Sequence, residues 1–265
     1  MCRILMARCA VPFSISDHLT PFAALAKDSR EYQGHGWGCS WLTDNKTWKH
    51  YHNIKPVWED DLDQFGSTSL LLVHARSAFR DEGIAVENNM PFTDGDSVFI
   101  FNGELRGVKI KSEGRIGAEK IYNYVRRMQQ GSDSKNLHQA LEKACGIISK
   151  RTSYVRAMNI ILSDGENTVA SSTFGEDPDY FQMHRVQRDG LTLVCSEPYS
   201  GQTDWSPMGN HFTITIYINR IPVYIIKIGG GASISIEGII EDLAAIDKPF
   251  IICLLYTSPS PRDRG

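Results

Sequence analysis

The sequence predicts an α+β fold built in layers. Three observations point to it. Apolar runs of strand length recur through residues 1–101, two helical periodicities sit together in the middle of the chain, and strand-like runs return after residue 156. Helices grouped between two blocks of strands argue for layers and against an alternating parallel sheet. The 265 residues are 42% apolar and 10% aromatic, enough to bury the core of one sizeable domain.

The elements follow in order. Residues 2–9 read as a short apolar strand that would carry Cys2 into the protein. Asp17 is placed to cap a helix over 19–27, with Pro21 tolerated in its first turn. Residues 36–41 and 46–51 read as strands, and 69–74 is a continuous apolar run of buried-strand length. Another such run, 97–101, ends at Asn102-Gly103. Ala118, Ile121, Tyr122, Val125 and Met128 recur at helical spacing until Gly131. A second helix is expected over 135–150, with Leu137, Leu141, Ala144 and Ile148 on one face. Residues 157–162, 168–173, 181–187 and 191–196, with turns at Asp164-Gly165 and Asp189-Gly190, then read as a meander that finishes the sheet core near Ile216.

Composition narrows the function. A formal charge of −3 gives no electrostatic reason to expect nucleic acid or an anionic membrane as partner. The six cysteines are scattered without a CxxC pair, so neither a zinc site nor a disulfide framework is expected, and reduced thiols in a cytoplasmic protein are. No uncharged apolar stretch approaches the ~20 residues of a membrane helix.

Four short pieces carry the chemistry: Cys2, Gly36-Trp37-Gly38, His74-Ala75-Arg76 and Asn102-Gly103. Each lies at a strand end or in a Gly-rich turn, where rigid scaffolds present reactive groups. Removal of Met1 would give Cys2 a free α-amine beside its thiol, which supplies nucleophile and base in one residue. Cys39 and Cys195 compete as nucleophiles, but both fall inside expected strands, where thiols are usually inert. Arg76, held near the core by the strand before it, suits bidentate recognition of a carboxylate, although it could equally bridge a structural acid. Asn102-Gly103 reads either as a tight turn or as an oxyanion hole. Trp37 and His74 read first as core residues.

Taken in order over residues 1–212, these pieces, with Pro91-Phe92 and Cys195-Ser196-Glu197-Pro198, resemble the class II glutamine amidotransferases of the N-terminal-nucleophile hydrolase group. The likeness is strongest to stand-alone glutaminase-type members. It implies a four-layer αββα sandwich, catalysis by Cys2 through a γ-glutamyl thioester, and no metal or other cofactor. It further implies that Asn102 and Gly103 form the oxyanion hole, while Arg76, Gly36 and Trp37 bind substrate. Glutamine or a γ-glutamyl compound would be the small-molecule substrate, and a synthase partner would receive the ammonia. Gly117 stands where such proteins commonly carry an Asp for the substrate ammonium. Glu113, Glu119 or Asp94 could replace it; otherwise the substrate is not free glutamine. A γ-glutamyl amidohydrolase and a catalytically silent binding module are the other readings.

The amidotransferase domain is expected over 1–217. Residues 218–253, with a strand, the turn Gly229-Gly230-Gly231 and a helix over 236–245, resemble the start of an amino-acid kinase, with Lys227 at its phosphate-contacting position. The stretch is far short of a whole kinase. Residues 254–265 are Ser/Pro/Arg-rich, are expected to be an unstructured tail, and look like sequencing-adapter read-through.

Overall fold

A computed structural model describes residues 1–130 and 136–216, together with the backbones of two later strands. In chain order it begins with β1 (Arg3–Ser14), α1 (Ser16–Lys27), β2 (Trp37–Leu42), β3 (Trp48–Asn53), β4 (Ser67–Ala75) and β5 (Phe92–Thr93). The middle comprises β6 (Val98–Arg106), α2 (Gly117–Gln130), α3 (Leu137–Lys150), β7 (Tyr154–Ser163) and β8 (Thr168–Ser172). Then come α4 (Pro178–Phe181), β9 (His184–Arg188), β10 (Leu191–Cys195), β11 (Ser206–Pro207) and β12 (Phe212–Ile216). The two later strands are β13 (Val223–Ile228) and β14 (Ile251–Tyr256).

Two antiparallel sheets form the centre. One has the order β11-β9-β10-β1-β4-β2-β3, the other β12-β8-β7-β6-β5. β1 and β4 lie inside the first sheet and are covered on both faces, which explains their continuous apolar runs. Leu5, Ala7, Leu71 and Val73 bury against the α1 side, with Leu19, Phe22, Ala23 and Ala26 of the helix. Ile4, Met6, Leu70 and Leu72 belong instead to the core shared with the second sheet, α2 and α3. The layers are therefore helix, sheet, sheet, helices.

Several expectations change in detail. Ile15 precedes α1 without a side-chain cap, and Asp17 lies in the first turn instead. The strand expected at 46–51 starts later, because Lys46 turns with φ 59°. The run expected to stop at Asn102-Gly103 continues as β6 to Arg106, so the pair is not a turn. Phe181 closes the short helix α4, leaving His184 to open β9. The expected meander is two hairpins in different sheets: β7–β8 belongs to the second and β9–β10 to the first.

The chain divides into a unit of Met1–Ile218 and a second unit, Asn219–Gly265. In the second unit β13 and β14 pair in parallel, from Val223↔Ile251 to Ile228↔Tyr256. β14 therefore takes in the first three residues of the expected tail. The glycine turn and helix expected at 229–245 lie outside the described residues.

Candidate active site

Cys2 stands one residue before β1, and strand alternation decides where its thiol goes. It shares the parity of Ile4 and Met6, which face the second sheet. Ser77, two residues beyond β4, holds the thiol: its N–H donates to Sγ at 3.5 Å, and the S–H reaches its carbonyl at 3.6 Å. Burial is the largest influence on this thiol and raises its pKa; the amino terminus, the Ser77 N–H and Arg76 oppose it without cancelling it. A neutral thiol therefore needs a base to take its proton.

The segment around Cys2 is pinned from several directions. Arg3, 1% exposed, donates to Ser29 Oγ at 3.0 Å and to the Tyr180 carbonyl at 3.4 Å, and pairs with Glu197 at 2.7 Å. Next along the strand, Ile4 exchanges hydrogen bonds with Ser196: its N–H donates to Oγ at 3.1 Å, and the Ser196 N–H donates to its carbonyl at 3.0 Å. Ser196 and Glu197, two residues of the Cys195-Ser196-Glu197-Pro198 motif, thus act on the first strand.

Arg76 follows β4, whose Ala75 is in register with Arg3. Its N–H donates to the Gly36 carbonyl at 2.9 Å, and its carbonyl accepts from His35 N–H at 3.1 Å. Gly36 is needed here: its φ is +104°, and a Cβ would lie 2.2 Å from Asn89 Nδ2. The Arg76 side chain differs from that of Arg3. It is 5% exposed, yet its Nη1 is buried with no hydrogen-bond partner. Burial lowers its pKa, and the neighbouring Cys2 works the other way. A buried guanidinium without a partner is costly unless a ligand supplies the anion.

Asn102, 1% exposed, lies on β6 opposite Asn159 of β7. Asn159 is satisfied: it donates to the Phe181 carbonyl at 2.7 Å and accepts from Ser172 Oγ and Thr173 N–H, each at 3.2 Å. Asn102 leaves both its amide oxygen and its amide nitrogen without partners. Phe99 of β6 contacts Tyr122 of α2, so alternation turns Ile100 and Asn102 toward the first sheet. Gly103 follows because a Cβ there would lie 2.3 Å from the Phe101 ring and 2.4 Å from the Ala157 carbonyl. β5 pairs with β6 only at Val98 and Phe99, which leaves the later part of that β6 edge without a strand.

His74 joins the two sheets at this level. It is fully buried, and the Phe101 backbone is near enough to influence it, although neither ring nitrogen makes a hydrogen bond. Burial, with Arg76 and His52 nearby, holds its pKa down at about 3, so the ring is neutral. It is a core histidine. Trp37 goes elsewhere: its indole packs on Tyr51 and Phe65 in the α1-side core and donates to Asp60 at 2.9 Å. Cys39 and Cys195 are in the same core, and burial pushes the Cys195 thiol up to about 12.

Residues 31–33, which the sequence reading passed over, seat the amino terminus. The Met1 ammonium pairs with Glu31, and Gln33 donates to the Met1 carbonyl at 2.6 Å. Arg156 pairs with Glu31 at 3.3 Å. Ser77 and these residues carry no local motif; only the fold brings them to the amino terminus and Cys2.

No protein-family model and no curated protein matches the sequence. Solved structures do match. A glutamine aminotransferase class-II domain protein from Silicibacter pomeroyi aligns with a TM-score of 0.56 at 16% identity, covering 82% of this chain and 95% of that one. A predicted glutamine amidotransferase from Pseudomonas aeruginosa aligns at 0.52 and 16%, covering 83% and 98%. Glutamine phosphoribosylpyrophosphate amidotransferase from B. subtilis aligns at 0.56 and 12%, covering 99% and 70%. With the layers described above, these likenesses define the fold: a four-layer αββα sandwich shared with these structures. None of them supports an amino-acid-kinase fragment at the C-terminus.

Proposed function

We propose that this protein is a cysteine-dependent amidohydrolase of the glutamine amidotransferase type, acting once Met1 has been removed. One observation carries the reading. The thiol held by Ser77 lies within electrostatic reach of Arg76, whose Nη1 is buried without a partner, and the Asn102 amide of the second sheet is buried without partners. His74, two residues before Arg76, meets the backbone one residue before Asn102, so these groups are neighbours across the layers.

The chemistry then runs in two steps. The Cys2 α-amine, with an unperturbed pKa near ~7.7–8.0, takes the thiol proton. Sulfur attacks the substrate amide carbon. Negative charge on the former carbonyl oxygen is met by the Asn102 amide and by an N–H of the open β6 edge at Gly103. The C–N bond breaks, the proton on the α-amine goes to the leaving nitrogen, and ammonia departs. Water, deprotonated by the same amine, attacks the thioester; the C–S bond breaks and an acid is released. Arg76 holds the carboxylate at the far end of the substrate, and Gly36 fixes the Arg76 backbone. No metal or organic cofactor takes part. The ammonia passes to a separate synthase or is released in the cytoplasm.

Intact mass, before and after treatment with a glutamine-mimicking diazoketone, tests this. Loss of Met1 with one adduct on Cys2 is expected. A second reading, a silent module that binds its ligand without turnover, is favoured by the well-partnered seat of Met1 on Glu31 and Gln33. A retained Met1 and an unmodified Cys2 would leave only that reading.

A further inference from the structure

The surroundings of Arg76 also limit what its ligand can carry. A single point beside Gly83 lies 3.8 Å from Arg76 Nη2, 3.4 Å from Asn88 Nδ2 and 3.9 Å from Ile116 Cγ2. The guanidinium, Asn88 and the residue before α2 therefore share one small space. Among the described residues, no carboxylate is among the groups that act electrostatically on Arg76; Cys2 alone does.

Glu82 and Glu87, beside Gly83 and Asn88 in the chain, are exposed, and three further acids already have partners. Glu119 accepts from the Arg115 guanidinium at 2.7 Å and from its N–H. Asp94 accepts from Arg126 at 2.7 Å and from the Ser97 N–H and hydroxyl at 2.8 and 3.0 Å. Glu31 belongs to the amino terminus and Arg156. Glu113 is exposed. What the space does offer is a neutral acceptor: Asn88 is 8% exposed, its Nδ2 donates to the Gly83 carbonyl at 3.0 Å, and its Oδ1 is buried without a partner.

An α-ammonium sits one carbon from its carboxylate, so a ligand bound through Arg76 would bring that second cation close to the guanidinium with no counter-charge. A neutral N–H there would carry no such cost, and the Asn88 amide that borders the space has an oxygen still without a donor. We infer that the pocket takes an amide whose far end carries a carboxylate but no free ammonium: the monoamide of a dicarboxylic acid, or a glutamine whose amino group is acylated. This rests on the amidohydrolase reading and narrows its substrate.

Ammonia release by the full-length, Met1-processed protein from glutamine, N-acetylglutamine and glutaric acid monoamide tests it. At least one of the two amides without an ammonium should exceed glutamine in kcat/KM by roughly tenfold or more, the scale of one charge-assisted interaction. Gly117→Asp adds an acid beside Ile116, where a Cβ meets nothing within 4 Å. It should swing the ratio toward glutamine by roughly tenfold, and Asn88→Asp should move it the same way. Glutamine preferred over both by the unaltered protein would overturn the inference and leave the amidohydrolase reading intact. No turnover of any amide, together with an unlabelled Cys2, would remove both.

Discussion

Replacing Asn102 with leucine should make the protein more stable and nearly inactive. Asn102 is 1% exposed, and neither its amide oxygen nor its amide nitrogen has a partner. Each buried polar group left in that state costs about 1–3 kcal/mol. Leucine has a similar volume and no polar atoms, so Asn102→Leu should recover about 2 kcal/mol. At about 2–4 °C per kcal/mol for a unit of this size, the melting temperature should rise by about 4–8 °C. Loss of one oxyanion donor should lower the rate of ammonia release by about 10²–10³-fold.

The control is across the ladder. Asn159 pairs with Asn102 in register but spends its amide on Phe181, Ser172 and Thr173. Asn159→Leu would orphan those groups and should cost about 3 kcal/mol or more. Thermal melts of both variants beside an ammonia assay decide the matter. A lower melting temperature for Asn102→Leu, matching that of Asn159→Leu, would refute the reasoning, since Asn102 would then be a structural residue.

Cys2→Ala should abolish ammonia release while shifting the melting temperature by no more than about 2–4 °C, within about 1 kcal/mol. Arg76→Met should raise KM far more than it lowers kcat, as expected for a group that binds substrate and transition state alike; steady-state kinetics on the best amide would check it. Arg3→Met should cost about 1–2 kcal/mol in urea unfolding, because Ser29 and the Tyr180 carbonyl lose a donor while half-exposed Glu197 is left to solvent. Burial, the largest cause, lowers the His18 pKa from an ordinary 6.5 to about 4. The stability held by its neutral ring is therefore full above pH 6.5 and is lost as pH falls toward 4. His18→Leu should flatten that part of a stability profile measured by urea unfolding between pH 7 and 4.

Strands covered on both faces were the easiest feature to read. β1 and β4 each hold four apolar residues without a break, 4–7 and 70–73, and the helices announced themselves by spacing. What could not be read locally was which sheet each hairpin joins. β7–β8 and β9–β10 both turn at an Asp-Gly pair, and only the crossing through α4 separates them. The extent of β6 was obscured by Asn102-Gly103, a pair with a strong turn signature. Here the glycine is required for a different reason, the Phe101 ring and the β7 backbone that crowd it. For Trp37, proximity in sequence to Gly36 suggested a shared site. Strand alternation sends the indole to the opposite side of the sheet, where burial pushes the Asp60 carboxyl up but hydrogen bonds from Trp37, Tyr51 and Asn53 outweigh it and hold it low.

Three buried arginines show why the candidate site reads as prepared for a ligand. Arg8 crosses the layers, donating to Thr168 Oγ1 at 2.6 Å and to the Glu166 carbonyl at 2.5 Å. Arg3 pins the strand that carries Cys2. Both spend most of their donors on the fold. Arg76 is nearly as buried as they are, and its backbone is fixed from two sides by Gly36 and His35, yet its Nη1 has no partner and, among the described residues, no acid pairs with it. Folding alone gives no reason to keep a cation in that state, because a methionine would fill the space without the cost. The backbone zipper supplies the means to hold it there, and an anionic ligand supplies the reason. Since the β1–β4 register sets both Cys2 and Arg76, their spacing is set before any ligand arrives. A preset spacing between nucleophile and carboxylate clamp would select amides by chain length. An amide one methylene shorter than the best substrate should therefore lose kcat and not only affinity.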